Sequence, residues 1–174
     1  PDSSYAIVRT SQGEILLVAE DLITAVFADH ATVLETISGR QLEHVPYIRP
    51  FDLIDIPDAH FVILADYVTV DDGTGLVHQA PAFGADDLAS CRAYGLPIVN
   101  PIGNDGSFID SVPLVGGTFF KDADDRLISN LQERSLLFRH DTYQHSYPHC
   151  WRCHTVLLYY AQPSWYIKTT NVKD

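Results

Sequence analysis

The run GTGLVHQAPAFGADD, Gly73 to Asp87, constrains the fold of this chain more than any other stretch. It packs two turn glycines, a short apolar segment, a proline corner and an acidic helix start into fifteen residues. Gly73 and Gly75 permit positive φ and close backbone approach. The spacing predicts a strand over Leu76–Ala80, with Leu76, His78 and Ala80 on one face. Pro81 ends that strand, and Phe83-Gly84 leads into a helix whose first turn carries Asp86 and Asp87. Ala80 is small and leaves a hollow beside His78. An acid at a helix start gains about 0.3–1 kcal/mol from the backbone dipole, which accounts for one aspartate rather than two. A half-buried histidine and an ordinary hairpin turn explain the same residues with no ligand. The functional reading is a pocket beside the Gly75 turn for a small molecule with a positive amine. Asp87 would hold the amine and His78 a polar group, with Ala80 and Phe83 shaping an apolar slot.

The rest of the chain sets the frame for such a pocket. Its 174 residues suit one domain with an appendage, and 46% hydrophobic content allows a real core. The longest apolar runs, such as Phe61–Ala65, are far too short to span a bilayer. The start Pro1-Asp2-Ser3 lacks a basic-then-apolar leader, and the absence of methionine implies an excised or processed chain. The net charge of −12 argues against a stand-alone nucleic-acid binder but not against a domain handling the end of a nucleic acid held elsewhere. Cys91, Cys150 and Cys153 make no disulfide framework, and one C-x-x-C fits a reducing, cytoplasmic setting.

Periodicity predicts strands over Tyr5–Arg9, Glu14–Ala19, Thr32–Ile37, Ala59–Val70 and Leu136–Tyr147, with Leu76–Ala80 as hairpin partner of Ala59–Val70. Helices are predicted over Glu20–Ala28, Ala85–Tyr94 and Lys121–Arg134. Val45–Asp58, with three prolines, reads as irregular. The expected fold is α+β: a mixed, strand-rich, barrel-like sheet with peripheral helices. Residues 1–148 form its body, and 149–174 a return segment that is aromatic and basic for this chain.

Gly73–Asp87 resembles the signature of the editing domain inserted in isoleucyl-tRNA synthetases, of the class I aminoacyl-tRNA synthetase family. The resemblance continues through CRAYGLPIVNPIGNDGSF (Cys91–Phe108), HSYPHCWRCHT (His145–Thr155) and PSWYIKTT (Pro163–Thr170). Valyl and leucyl relatives usually carry Lys or Met in place of His78, and a P-A-H-D corner in place of Pro81-Ala82-Phe83-Gly84. The alternative of a valyl or leucyl editing domain is therefore disfavoured. The resemblance implies hydrolysis of valine wrongly attached to the isoleucine tRNA, acting on the 3′ end of that tRNA alongside the rest of the synthetase. One methylene is worth only about 1–3 kcal/mol of discrimination, a limit for which isoleucyl-tRNA synthetases are themselves the standing example, so a second and smaller site must remove the error. By resemblance, Asp87 holds the α-amino group, His78 lies near the terminal adenosine or side chain, and Ala80 and Phe83 line the pocket. A positioned water and a stabilised oxyanion would suffice for the ester, with neither cofactor nor protein nucleophile. The family carries a threonine-rich strand ending in Pro-Trp-Thr just upstream of a segment like Pro1–Ala6. It has no counterpart here, which implies that this chain holds one wall of the pocket and is not expected to hydrolyse the ester alone.

Cys150 and Cys153 have the spacing of half a tetrahedral zinc site. His145, His149 and His154 are the nearest further ligands in sequence. The resemblance implies instead a partner C-x-x-C upstream of the insertion, and structural zinc in the intact protein. A zinc-ribbon binding module without catalysis is the competing reading. His30, His44 and His60 read as solvated histidines in or beside turns, and Cys91 as a small buried apolar residue.

Overall fold

The computed structural model describes residues 2–142 and 144–172; Pro1, Tyr143, Lys173 and Asp174 lie outside the described residues. The first third of the chain builds a three-stranded antiparallel sheet. Its strands are β1 (Ser4–Thr10), β2 (Ile15–Ala19) and β3 (Ala31–Ser38), in the order β2-β1-β3. The Ser11–Gly13 turn joins β1 to β2, and Tyr5 pairs with Ala19 on one side and Ile37 on the other. A register shift between Ile7 and Val8 marks a bulge against β3. Such a shift bends the strand and strengthens the local twist.

Between β2 and β3 the chain makes a short 3-10 turn, Glu20–Leu22, and a one-turn helix, α1 (Ile23–Phe27). Their apolar face explains why they fold: Leu22 and Phe27 pack with Tyr5, Ala6, Val8, Val18 and Ala19 into the main core. Val62 and Val70, from the apolar run after the prolines, lean on the same cluster. A capping box closes the 3-10 turn after β3: Ser38 Oγ accepts from Arg40 N, and Gln41 Oε1 accepts from Ser38 N.

Two further helices follow, α2 (Ala85–Ala93) and α3 (Asp124–Glu133). A second, smaller core of Val112, Val115 and Ala123 collects Phe108 and Leu127, seating α3 apart from the sheet. Among the described residues no helix is long and apolar enough to cross a membrane.

The mixed α+β character agrees with the sequence reading, but the barrel does not: the sheet is open, with three strands. Three predicted strands explain the difference. Ala59–Val70 and Leu76–Ala80 do not pair as a hairpin; the former makes one isolated bridge, Phe61 with Pro46. The apolar side chains of 59–70 pack on the core and line a cavity instead of building a ladder. The described residues of Leu136–Tyr147 also form no strand; Tyr143 within that stretch lies outside the described residues.

Candidate functional site

The signature run is held at both ends. At its start, Ala19 N donates to Thr74 O at 2.9 Å, and the buried Tyr5 hydroxyl donates to Gly75 O at 2.7 Å. Gly75 has φ +74°, and a Cβ there would lie 2.5 Å from Ala19 Cβ. Only glycine lets the turn sit this close to β2. At the far end, Asp87 Oδ2 accepts from Ala80 N at 3.0 Å. A Cβ on Gly84 would lie 2.9 Å from Asp87 Cγ and Oδ2, so glycine at the helix N-cap makes room for the carboxylate to fold back. The side chain thus ties the first turn of α2 to the corner before it, rather than capping its own helix.

Between these anchors the chain borders a cavity of about 590 Å³. Gly75, His78, Ala80 and Phe83 all line it. His78 is exposed, while Ala80 and Phe83 are half-buried. Since Leu76–Ala80 is not a strand, the shared face expected for His78 and Ala80 does not come from a pleat. Both border the cavity as parts of one irregular loop held at its two ends. Asp87 is not among the lining residues; it stands behind Ala80, at the back of the wall. Its charge is felt by Cys91, whose thiol is pushed up first by burial and then by Asp87. Cys91 itself is buried on α2, as expected.

The irregular stretch 59–65 also lines the cavity. Tyr94, just past α2, braces it: its hydroxyl donates to Glu43 Oε1 at 2.6 Å and accepts from Leu64 N at 3.2 Å. The Glu43 bond raises the phenol above its ordinary range. His44 stacks with Phe61 and Tyr94 at 5.3 and 5.5 Å between ring centroids. His60, read from sequence as solvated, is half-buried and lines the cavity beside Tyr47. Tyr5 lines it too. Sequence gave no sign of Tyr5, whose partner lies 70 positions away. The apolar run beginning at Phe61 was a usable sign for His60.

Cys150 and Cys153 form a compact knuckle. Cys150 N donates to Thr155 O and His154 N to Cys150 O, each at 2.8 Å, and His154 takes φ +58° to close the turn. Bonding to the Thr155 hydroxyl and backbone, and then to Cys150, lowers the Cys153 thiol to about 7. That favours the thiolate a metal needs. Among the described residues no group of three or more His, Cys, Asp or Glu could hold a metal ion. His145, His149 and His154 therefore do not complete the set.

No family model matches the chain. It is 57% identical over 176 residues to an isoleucine–tRNA ligase of Streptomyces coelicolor, and 58% over 176 residues to that of Thermobifida fusca. Identity to the Thermus thermophilus isoleucine–tRNA ligase is 43% over 174 residues. All of this chain is matched each time, against 17%, 16% and 16% of the relative. The chain spans about a sixth of the length of the curated relatives it matches.

Proposed function

We propose that this chain, which belongs to the isoleucine–tRNA ligase family, is that family's editing domain and clears valine from the isoleucine tRNA. The observation that carries the reading is the cavity of about 590 Å³ whose wall is the signature run, with Gly75, His78, Ala80 and Phe83 on its surface. A largely preformed cleft of this kind suits a small ligand. Ala80 and Phe83 bound the slot for the aliphatic side chain, which under this reading must admit valine and refuse one more methylene. Asp87 spends Oδ2 on Ala80 N and keeps Oδ1 as an acceptor. A modest shift of the Ala80 corner would bring that oxygen to an incoming α-ammonium group. His78, exposed at the rim, offers a ring nitrogen to the nucleoside. Ester cleavage then needs only a held water and donors at the developing oxyanion. The partners are the mischarged tRNA end and the rest of the ligase.

Residues 1–148 act as the editing body and 149–174 as the segment returning to the rest of the polypeptide. The two thiols of the knuckle fit half of a structural zinc site. Cys150 and Cys153 would hold the ion, with the remaining ligands supplied from outside this chain, and its chemistry would be to fix the fold.

The direct test uses an isoleucine–tRNA ligase carrying this segment. Asp87→Ala should abolish deacylation of valyl-tRNA while leaving isoleucine charging intact. Unchanged deacylation would remove Asp87, and with it this reading of the site.

A further inference from the structure

The run Leu76–Gln79 makes no backbone–backbone hydrogen bond among the described residues. Its backbone is tied to the fold at its two ends, while Leu76 also bonds the Thr74 side chain and Gln79 Oε1 accepts from the Tyr67 hydroxyl. Asp87 holds Ala80 at one end. At the other, the Gly75 carbonyl is taken by a phenol hydroxyl from the central strand of the sheet. We propose that Tyr5 is a positioning residue of the site: its hydroxyl, held in the core, fixes the Gly75 peptide and so sets where His78 and Ala80 stand in the cavity.

Three observations support this. Tyr5 is 8% exposed and packs in the main core, so its ring does not drift. Its hydroxyl remains a donor throughout the neutral range, because burial raises the phenol further. Tyr5 and Gly75 both line the cavity, so the bond joins the rigid sheet to the functional wall within the site itself. Thr74 O, held by Ala19 N, fixes the preceding peptide, and together the two bonds orient the chain as it leaves the sheet. His78 follows three residues later, and a small rotation at Gly75 carries it along. The clamp is a property of the fold; what it serves rests on the editing reading.

Tyr5→Phe keeps the packed ring and removes the hydroxyl alone. Amide hydrogen exchange in the 174-residue chain should then quicken about tenfold at Ala19, whose N–H is bonded to Thr74 O in the docked turn, with the other amides of β1–β3 unchanged. Affinity for a non-hydrolysable valyl-adenosine analogue should fall by a similar factor. Exchange at Ala19 equal to wild type would overturn the proposal. So would a uniform rise over sheet and loop together, which a merely structural role produces. Local quickening in Tyr5→Phe, together with a wild type that binds no analogue, would uphold the clamp and sink the editing reading instead.

Discussion

The sheet with its docked signature loop and the stretch from Arg134 onward treat the same kinds of residue in opposite ways. In the first, Tyr5, Val8, Val18 and Phe27 are buried, and irregular backbone such as Thr74–Gly75 is bonded down to a strand. In the second, Trp165, Tyr166 and Ile167 are 102%, 90% and 83% exposed, and among the described residues from Gln162 onward only Thr169–Asn171 forms a 3-10 turn. Among the described residues few contacts join the two, and Arg139 Nη1 donating to Val26 O is one. Phe138 meets Phe27 edge-on, and Ala161 N donates to Ala82 O at the corner of the cavity. The difference shows that aromatic content alone does not make a core. Burial needs a facing surface, which the strands and α1 provide for each other and the return segment lacks within this chain.

The thiols should give the widest contrast. In the metal-free chain, alkylation of Cys153 should switch on as pH rises through about 7, since only the thiolate reacts and Thr155 favours it. Cys91, buried and with its thiol raised, should stay unreacted over the same range. Mass spectrometry of the labelled peptides checks this; equal labelling would erase the distinction. Phe27→Ala should cost about 3–5 kcal/mol in urea unfolding, through the cavity left in the main core. Gly75→Ala should cost about 1–3 kcal/mol, because it meets both a left-handed φ and the Ala19 side chain. Asp87→Ala should cost about 1 kcal/mol through the stranded Ala80 N–H, visible as faster exchange at that amide. Trp165→Ala should change stability by less than about 0.5 kcal/mol. A larger loss there would mean that the return segment packs more firmly than its exposure indicates.

The sequence made local elements readable and long-range docking obscure. β1, β2, β3, the turn into α1, α2 and α3 follow from alternation, helical spacing and their stop residues. The hairpin over 59–80 did not form because apolarity at Phe61–Leu64 reports burial, and burial against a cavity wall looks the same in sequence as burial in a ladder. The barrel expectation rested on that hairpin and on the strand predicted over 136–147, and it went with them. At the site, Gly75, His78, Ala80 and Phe83 were legible as one contiguous run. Asp87 was legible as a functional group, but its bond to Ala80 N was not. Tyr5 and Tyr94 escaped because their roles depend on contacts across the fold that no local pattern encodes.

The central claim is that the signature run frames a pocket for an aminoacyl nucleoside, with Asp87 reading its amine. The most direct measurement is calorimetric titration of a non-hydrolysable valyl-adenosine analogue into the wild-type chain and into Asp87→Ala. The account predicts saturable binding to wild type, weakened at least about tenfold in the variant, as expected when a charge-assisted bond is lost. Equal affinity for both proteins, or no binding to wild type, would contradict it.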